Sequence, residues 1–394
     1  IPQNQISWET AMHIPSVGIS YDPQGRITEA AGFWRGRRSD NVPVAGFTSL
    51  LKFSYDEDYE NISFYHSDGS SFSLQGICSY RIQREPETSS SFLEFLEEDQ
   101  QLISLHGVVW SIHFSPDSGG WFNRMMCDST GIPIASPEMA HNRYQFDLNG
   151  NVTAIETMNI NGSGLPLQEG VFRIEMSCDP SGNITERVRF DENGFPVSDP
   201  SNPGWQLYDI SEDGLTLGYK VLDSNGEPTT DFTGIHRGEF EYDEYGRMTS
   251  SMSYDLAGSR HVTNGIWAHT IEYNDPDLAV ISRRIDASGA PVELTGISET
   301  VSGFDLLGNL VSISYYNNAG EPARDDLNVH SYRFLFGEYC QMLERQIWEP
   351  SGEPGISSGG YHIERYTYSN DGSLSGIEHF DEHGEPQESS VIHL

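Results

Sequence analysis

The residues with chemistry to offer are mostly acids. The 394-residue chain carries 59 Asp and Glu against 22 Lys and Arg, a formal net charge of −37. Several acids open short quartets ending in glycine, among them Asp147-Leu148-Asn149-Gly150, Asp191-Glu192-Asn193-Gly194 and Asp223-Ser224-Asn225-Gly226. A calcium loop of the EF-hand kind needs oxygen ligands at five or six positions and a closing bidentate Glu, and none of these quartets supplies that set. Turn chemistry accounts for them instead: Asp accepts from backbone N–H groups two residues on, and Gly supplies a positive φ. His379 and His383 lie four apart, a metal-binding spacing only on a helix, and the surrounding pattern is not helical. There is no Gly-x-Ser-x-Gly elbow and no glycine-rich phosphate loop. The sequence therefore predicts no catalytic residue, no cofactor-binding residue and no metal ligand. One side chain is a candidate for stacking on a sugar or peptide: Trp205, in the run Asn202-Pro203-Gly204-Trp205-Gln206.

The elements that would have to position any such residue repeat along the chain. An apolar residue followed by a turn recurs at Phe114, Phe146, Cys178, Ile210, Tyr242, Tyr273, Phe304, Phe336 and Tyr368, at spacings of 31 or 32. A second ladder runs through Cys127, Met158, Phe190, Leu222, Tyr254, Ile285, Tyr316, Trp348 and Phe380. Pro follows two residues after many of the second-turn glycines, as at Pro196, Pro228 and Pro386, and should end a strand there. Alternating residues between the turns, such as Phe172, Ile174 and Met176 against Arg173 and Glu175, predict strands. Each unit thus gives strand, turn, strand and a longer variable loop. The expected fold is all-β: tandem hairpin repeats of 31–32 residues in one long curled antiparallel sheet, an open spiral or solenoid, with a β-propeller as the alternative.

Two regions are expected. Residues 1–106 hold divergent repeats, with a short helix at 86–105 suggested by the spacing of Phe92, Phe95, Leu96 and Gln100. Residues 107–394 hold the regular array. The four cysteines match no zinc spacing and read as free thiols, with Cys127 and Cys178 on the apolar ladders. An acidic chain lacks the clustered cations that phosphate contacts require, so no nucleic-acid partner is expected. No run of about 18 apolar residues occurs, so no membrane-spanning helix is expected. A protein or glycan partner is left open, as is the oligomeric state.

The tandem Tyr-Asp-x-x-Gly-x-apolar pattern, clearest at Tyr242-Asp243-Glu244-Tyr245-Gly246-Arg247-Met248 and Tyr21-Asp22-Pro23-Gln24-Gly25-Arg26-Ile27, resembles the YD repeats of bacterial Rhs-like proteins. The resemblance implies a spiralling β-hairpin sheet, secreted or at the cell surface, with a structural, adhesive or encapsulating role. It carries over no catalytic residue. The resulting expectation is a non-enzymatic β-repeat protein. The alternatives are a carbohydrate- or peptide-binding module using loop aromatics, and an enzyme whose site lies in the irregular N-terminal quarter.

Overall fold

The structure is a computed structural model. It describes residues 14–393, except 36, 41, 43, 45–47, 57, 74–75, 86–87, 106–107, 135–140, 160–161, 168–169, 198–203, 339, 370–373 and 388–391. Among the described residues the strands form one antiparallel sheet in which each strand pairs with its neighbours in sequence, except that the two-residue strands Arg37–Arg38 and Gly164–Leu165 pair only with the strand before them. The ladder runs without a break from Ser16–Tyr21 to Ile392–His393, and those two strands do not pair with each other. A propeller would divide the ladder into blades; this sheet is continuous and open.

The first turn of each unit explains the Asp and the Gly. At Asp243–Gly246 the Gly246 N–H donates to the Asp243 carbonyl, and the Asp243 N–H donates to the Arg247 carbonyl. The Asp243 carboxylate accepts from the N–H groups of Tyr245 and Arg247. Gly246 sits at φ +78°, and the pairing slips by one residue between Glu241 and Tyr242, the bulge that follows such a three- to five-residue hairpin loop. Gly246→Val should therefore lower stability by roughly 1–3 kcal/mol, because a β-branched residue is strained at positive φ. Glu244→Ala, at an exposed position, should change it little. Equal melting temperatures for the two variants would contradict this turn.

The ladder tyrosine has a separate task. The Tyr242 hydroxyl donates to the carbonyl of Thr216 at 2.7 Å, Tyr368 to that of Met342 at 2.8 Å, and Tyr273 to that of Met248 at 3.1 Å. Each is the first residue of the preceding unit's second strand. The Tyr of the turn thus ties its unit to the one before, and the Asp beside it closes the turn.

The two faces of the sheet differ. Register places Arg173, Glu175, Glu186, Arg237 and Glu239 on one face. There, arginines lie over the second-ladder aromatics: Arg237 over Tyr254 at 4.4 Å, Arg333 over Trp348 at 4.1 Å and Arg365 over Phe380 at 4.3 Å. The opposite face is mainly apolar in the first units, where its largest buried cluster joins Ala30, Leu51, Phe64, Ile77, Phe95, Val109 and Ile112, and further along it also carries Arg187, Arg189, Arg345 and Glu364. No second layer covers the sheet throughout. The accessible surface is 21416 Å², against roughly 15,500 Å² expected of a compact monomer of this mass.

Two expectations need correction. The helix at 86–105 is absent: Ser90–Leu96 is a strand, with residues 86 and 87 outside the described set. Leu93 and Phe95 pair with Ile82 and Tyr80 on the apolar face, while Phe92 and Glu94 pair with Gln83 and Arg81 on the charged one. The unit's turn is Glu97-Glu98-Asp99-Gln100, in which Gln100 takes φ +66° in place of Gly. The second correction concerns the variable loop, which contains an ordered third turn. In one unit Asp231 and Gly234 close it, in the next Thr263 and Ile266, with Asn264 and Gly265 at φ +52° and +83°.

Candidate functional site

The Asp147 carboxylate accepts from the Asn151 side chain at 2.8 Å and from the N–H groups of Asn149 and Asn151. Asp191 accepts from the N–H groups of Phe195 and Asn193, and Asp223 from those of Glu227 and Asn225. The hydrogen bonds hold all three below the usual carboxylate range: chiefly the Asn151 side chain for Asp147, the Phe195 N–H for Asp191 and the Glu227 N–H for Asp223. A depressed folded pKa contributes stability above the unfolded value of about 4, and that contribution is lost as pH falls through the folded value. The gap in melting temperature between wild type and Asp223→Ala should therefore narrow between about pH 6 and pH 3. A gap that stays constant would show that the carboxylate charge contributes nothing to the turn.

His379 lies on the strand Leu374–Phe380 and His383 in the following turn. His379 stacks on Tyr361, ring centroids 4.2 Å apart, and its Nε2 lies 3.1 Å from Glu364. Glu364 is buried, 2.6 Å from Arg345, and accepts from the Tyr366 hydroxyl at 2.7 Å. Burial acts to raise the Glu364 pKa, but the Tyr366 hydroxyl and Arg345 outweigh it and hold the carboxyl low. This network ties neighbouring strands together on one face of the sheet, with Arg345 Nε left without an acceptor among the described residues.

Trp205 is the first residue of the strand Trp205–Ile210 rather than a loop residue. Its Nε1–H donates to Glu186 at 2.8 Å. Its ring lies against Gly226, where an added Cβ would stand 3.2 Å from it. The ring is half-buried, with its polar atom engaged.

The most elaborate arrangement was not legible in any motif. Trp34, Arg35 and Ser39 meet the first turns of units far along the chain. Arg35 Nη2 lies 2.6 Å from Asp275 Oδ1, across 240 residues of sequence, or roughly seven to eight repeat units. Arg247 Nη1 reaches the same oxygen at 2.8 Å, and its Nε holds Asp243 at 2.7 Å. Burial acts to lower the Arg247 pKa, but the bonds to Asp275 and Asp243 raise it overall. Trp34 packs on Phe304 and fills the space over Gly308, and the Ser39 hydroxyl donates to the Leu307 carbonyl. The sheet has therefore curled until its start meets the first-turn edge of later units. This seam carries an Arg35–Asp275–Arg247–Asp243 chain of alternating charge.

No protein-family model matches the sequence, and no curated protein matches it. Among solved structures, the chain is similar to one titled TcdB2-TccC3-TEV, at 10% identity and a TM-score of 0.31, covering 97% of this chain and 22% of that one. It is similar to the Photorhabdus luminescens Tc holotoxin pore at 11% identity and a TM-score of 0.29, covering 96% and 22%. It also resembles a porin-like protein from Bacteroides uniformis, at 12% identity and a TM-score of 0.24, covering 71% and 93%. The chain thus spans about a fifth of the length of the first two, and at these scores the likenesses carry no argument about function.

Proposed function

We propose that the chain is a non-enzymatic β-repeat protein that acts as a curved wall, in a structural, adhesive or encapsulating role outside the cytosol. The observation that carries this reading is the one-layer sheet, whose accessible surface of 21416 Å² far exceeds that of a compact chain. The recurrent residues support it. Asp and Gly close turns, Tyr bridges units, and arginines cover the ladder aromatics, so each has a folding task. Small-angle X-ray scattering tests the reading. A curved wall gives a pair-distance distribution shifted to larger distances than a solid particle of 44.0 kDa. A profile matching a solid sphere of that mass would sink it.

A further inference from the structure

We infer that the seam holds a binding pocket for a small, uncharged, flat apolar molecule. A cavity of about 390 Å³ lies there, walled by Trp34, Tyr273, Leu278, Val280 and Phe304, with Arg35 and Asp275 at its edge. That volume falls in the range of small-ligand sites, which are mostly apolar with a few placed polar groups.

Two observations bear on what this cavity takes. First, the repeat breaks its own rule here. The turn Asp275-Pro276-Asp277-Leu278 has Leu where the two neighbouring first turns have Gly246 and Gly308, and Leu278 takes φ +52°. Arg35, on the facing segment, takes φ +49°. A positive φ is strained for a long or branched side chain, and such strain collects at binding sites. The bulge found at neighbouring first turns is also missing, so Tyr273 pairs directly with Val280 and both side chains line the cavity. Second, the charged groups at its edge cancel one another: Arg35 and Arg247 against Asp275 and Asp243. That balance offers nothing to an ionic ligand and fits an uncharged one.

The test uses the whole chain and two fluorescent probes of similar shape, neutral N-phenyl-1-naphthylamine and its sulfonated analogue 8-anilino-1-naphthalenesulfonate. The neutral probe should bind saturably, one per chain, quench Trp34 emission, and bind roughly tenfold more tightly than the sulfonate. Val280→Trp fills the cavity and should abolish the binding. If that variant does not fold, Val280→Phe should weaken the binding and Trp34→Phe should remove the quenched emission. The inference is overturned if the neutral probe does not saturate, if the sulfonate binds equally well, or if these variants bind as wild type does.

Discussion

Asp275→Ala should destabilise the protein by about 2–3 kcal/mol, more than removal of any other single surface carboxylate. Asp275 is the only acid within salt-bridge distance of Arg35 among the described residues, and it is shared with Arg247. Removing it leaves Arg35 without a carboxylate and Arg247 with Asp243 alone, both guanidinium groups having lost the oxygen they shared. Breaking a fully buried pair from one side costs about 3–5 kcal/mol, and the figure here is discounted because Asp275 retains 24% of its side-chain exposure. Asp275→Asn keeps an acceptor for Arg35 and should cost less than the alanine variant. Thermal melts with limited proteolysis of the N-terminal segment provide the check. Both variants melting within a degree or so of wild type would mean that the seam contributes no stability.

Gly32→Ala should be more damaging still, by at least about 4 kcal/mol. Gly32 is central in the strand Ile27–Trp34, and its freedom at φ is not what matters there. Its missing side chain lets the carbonyl of Val42 approach: a Cβ at position 32 would stand 1.8 Å from that oxygen and 2.8 Å from its carbon. Backbone cannot yield as a side-chain tip can. The Ser39 N–H donates to the Gly32 carbonyl and the Val42 N–H to the Ser39 carbonyl, so the same close approach brings Ser39 and Val42 back over the strand. That fold-back carries Ser39 to Leu307. The alanine variant should therefore lose the seam along with the local turn, seen as fast amide exchange in the segment after Trp34. Wild-type stability for Gly32→Ala would mean that the Val42 carbonyl does not approach Gly32 closely.

The repeat was legible because its causes are local. Asp243 bonds its own turn, Gly246 takes its own positive φ, and both facts are printed within five residues. The strands followed from alternation between those turns. Where a residue other than Gly took the left-handed position, as Gln100 does, the turn vanished from the pattern, and the helix-like spacing of Phe92, Phe95 and Leu96 filled the gap. The third turn did leave a sign, the Asn264-Gly265 pair typical of tight hairpins. The tyrosine's role as a tie between units was hidden because its acceptor, a backbone carbonyl such as that of Thr216, has no sequence signature. The seam was hidden for a stronger reason. Which unit meets Arg35 depends on the accumulated curl of every strand between them, and no window of sequence reports that sum.

That curl is the central claim, and a double-mutant cycle on Arg35→Ala and Asp275→Ala measures it most directly. The two residues are 240 apart in sequence and touch only if the sheet curls as described. Contacting charges in one network should show a coupling energy of about 1–3 kcal/mol, whereas sites more than about 10 Å apart add to within about 0.3–0.5 kcal/mol. Coupling in the first range places the start of the sheet against its later turns; simple additivity of the two single variants would contradict the curled sheet.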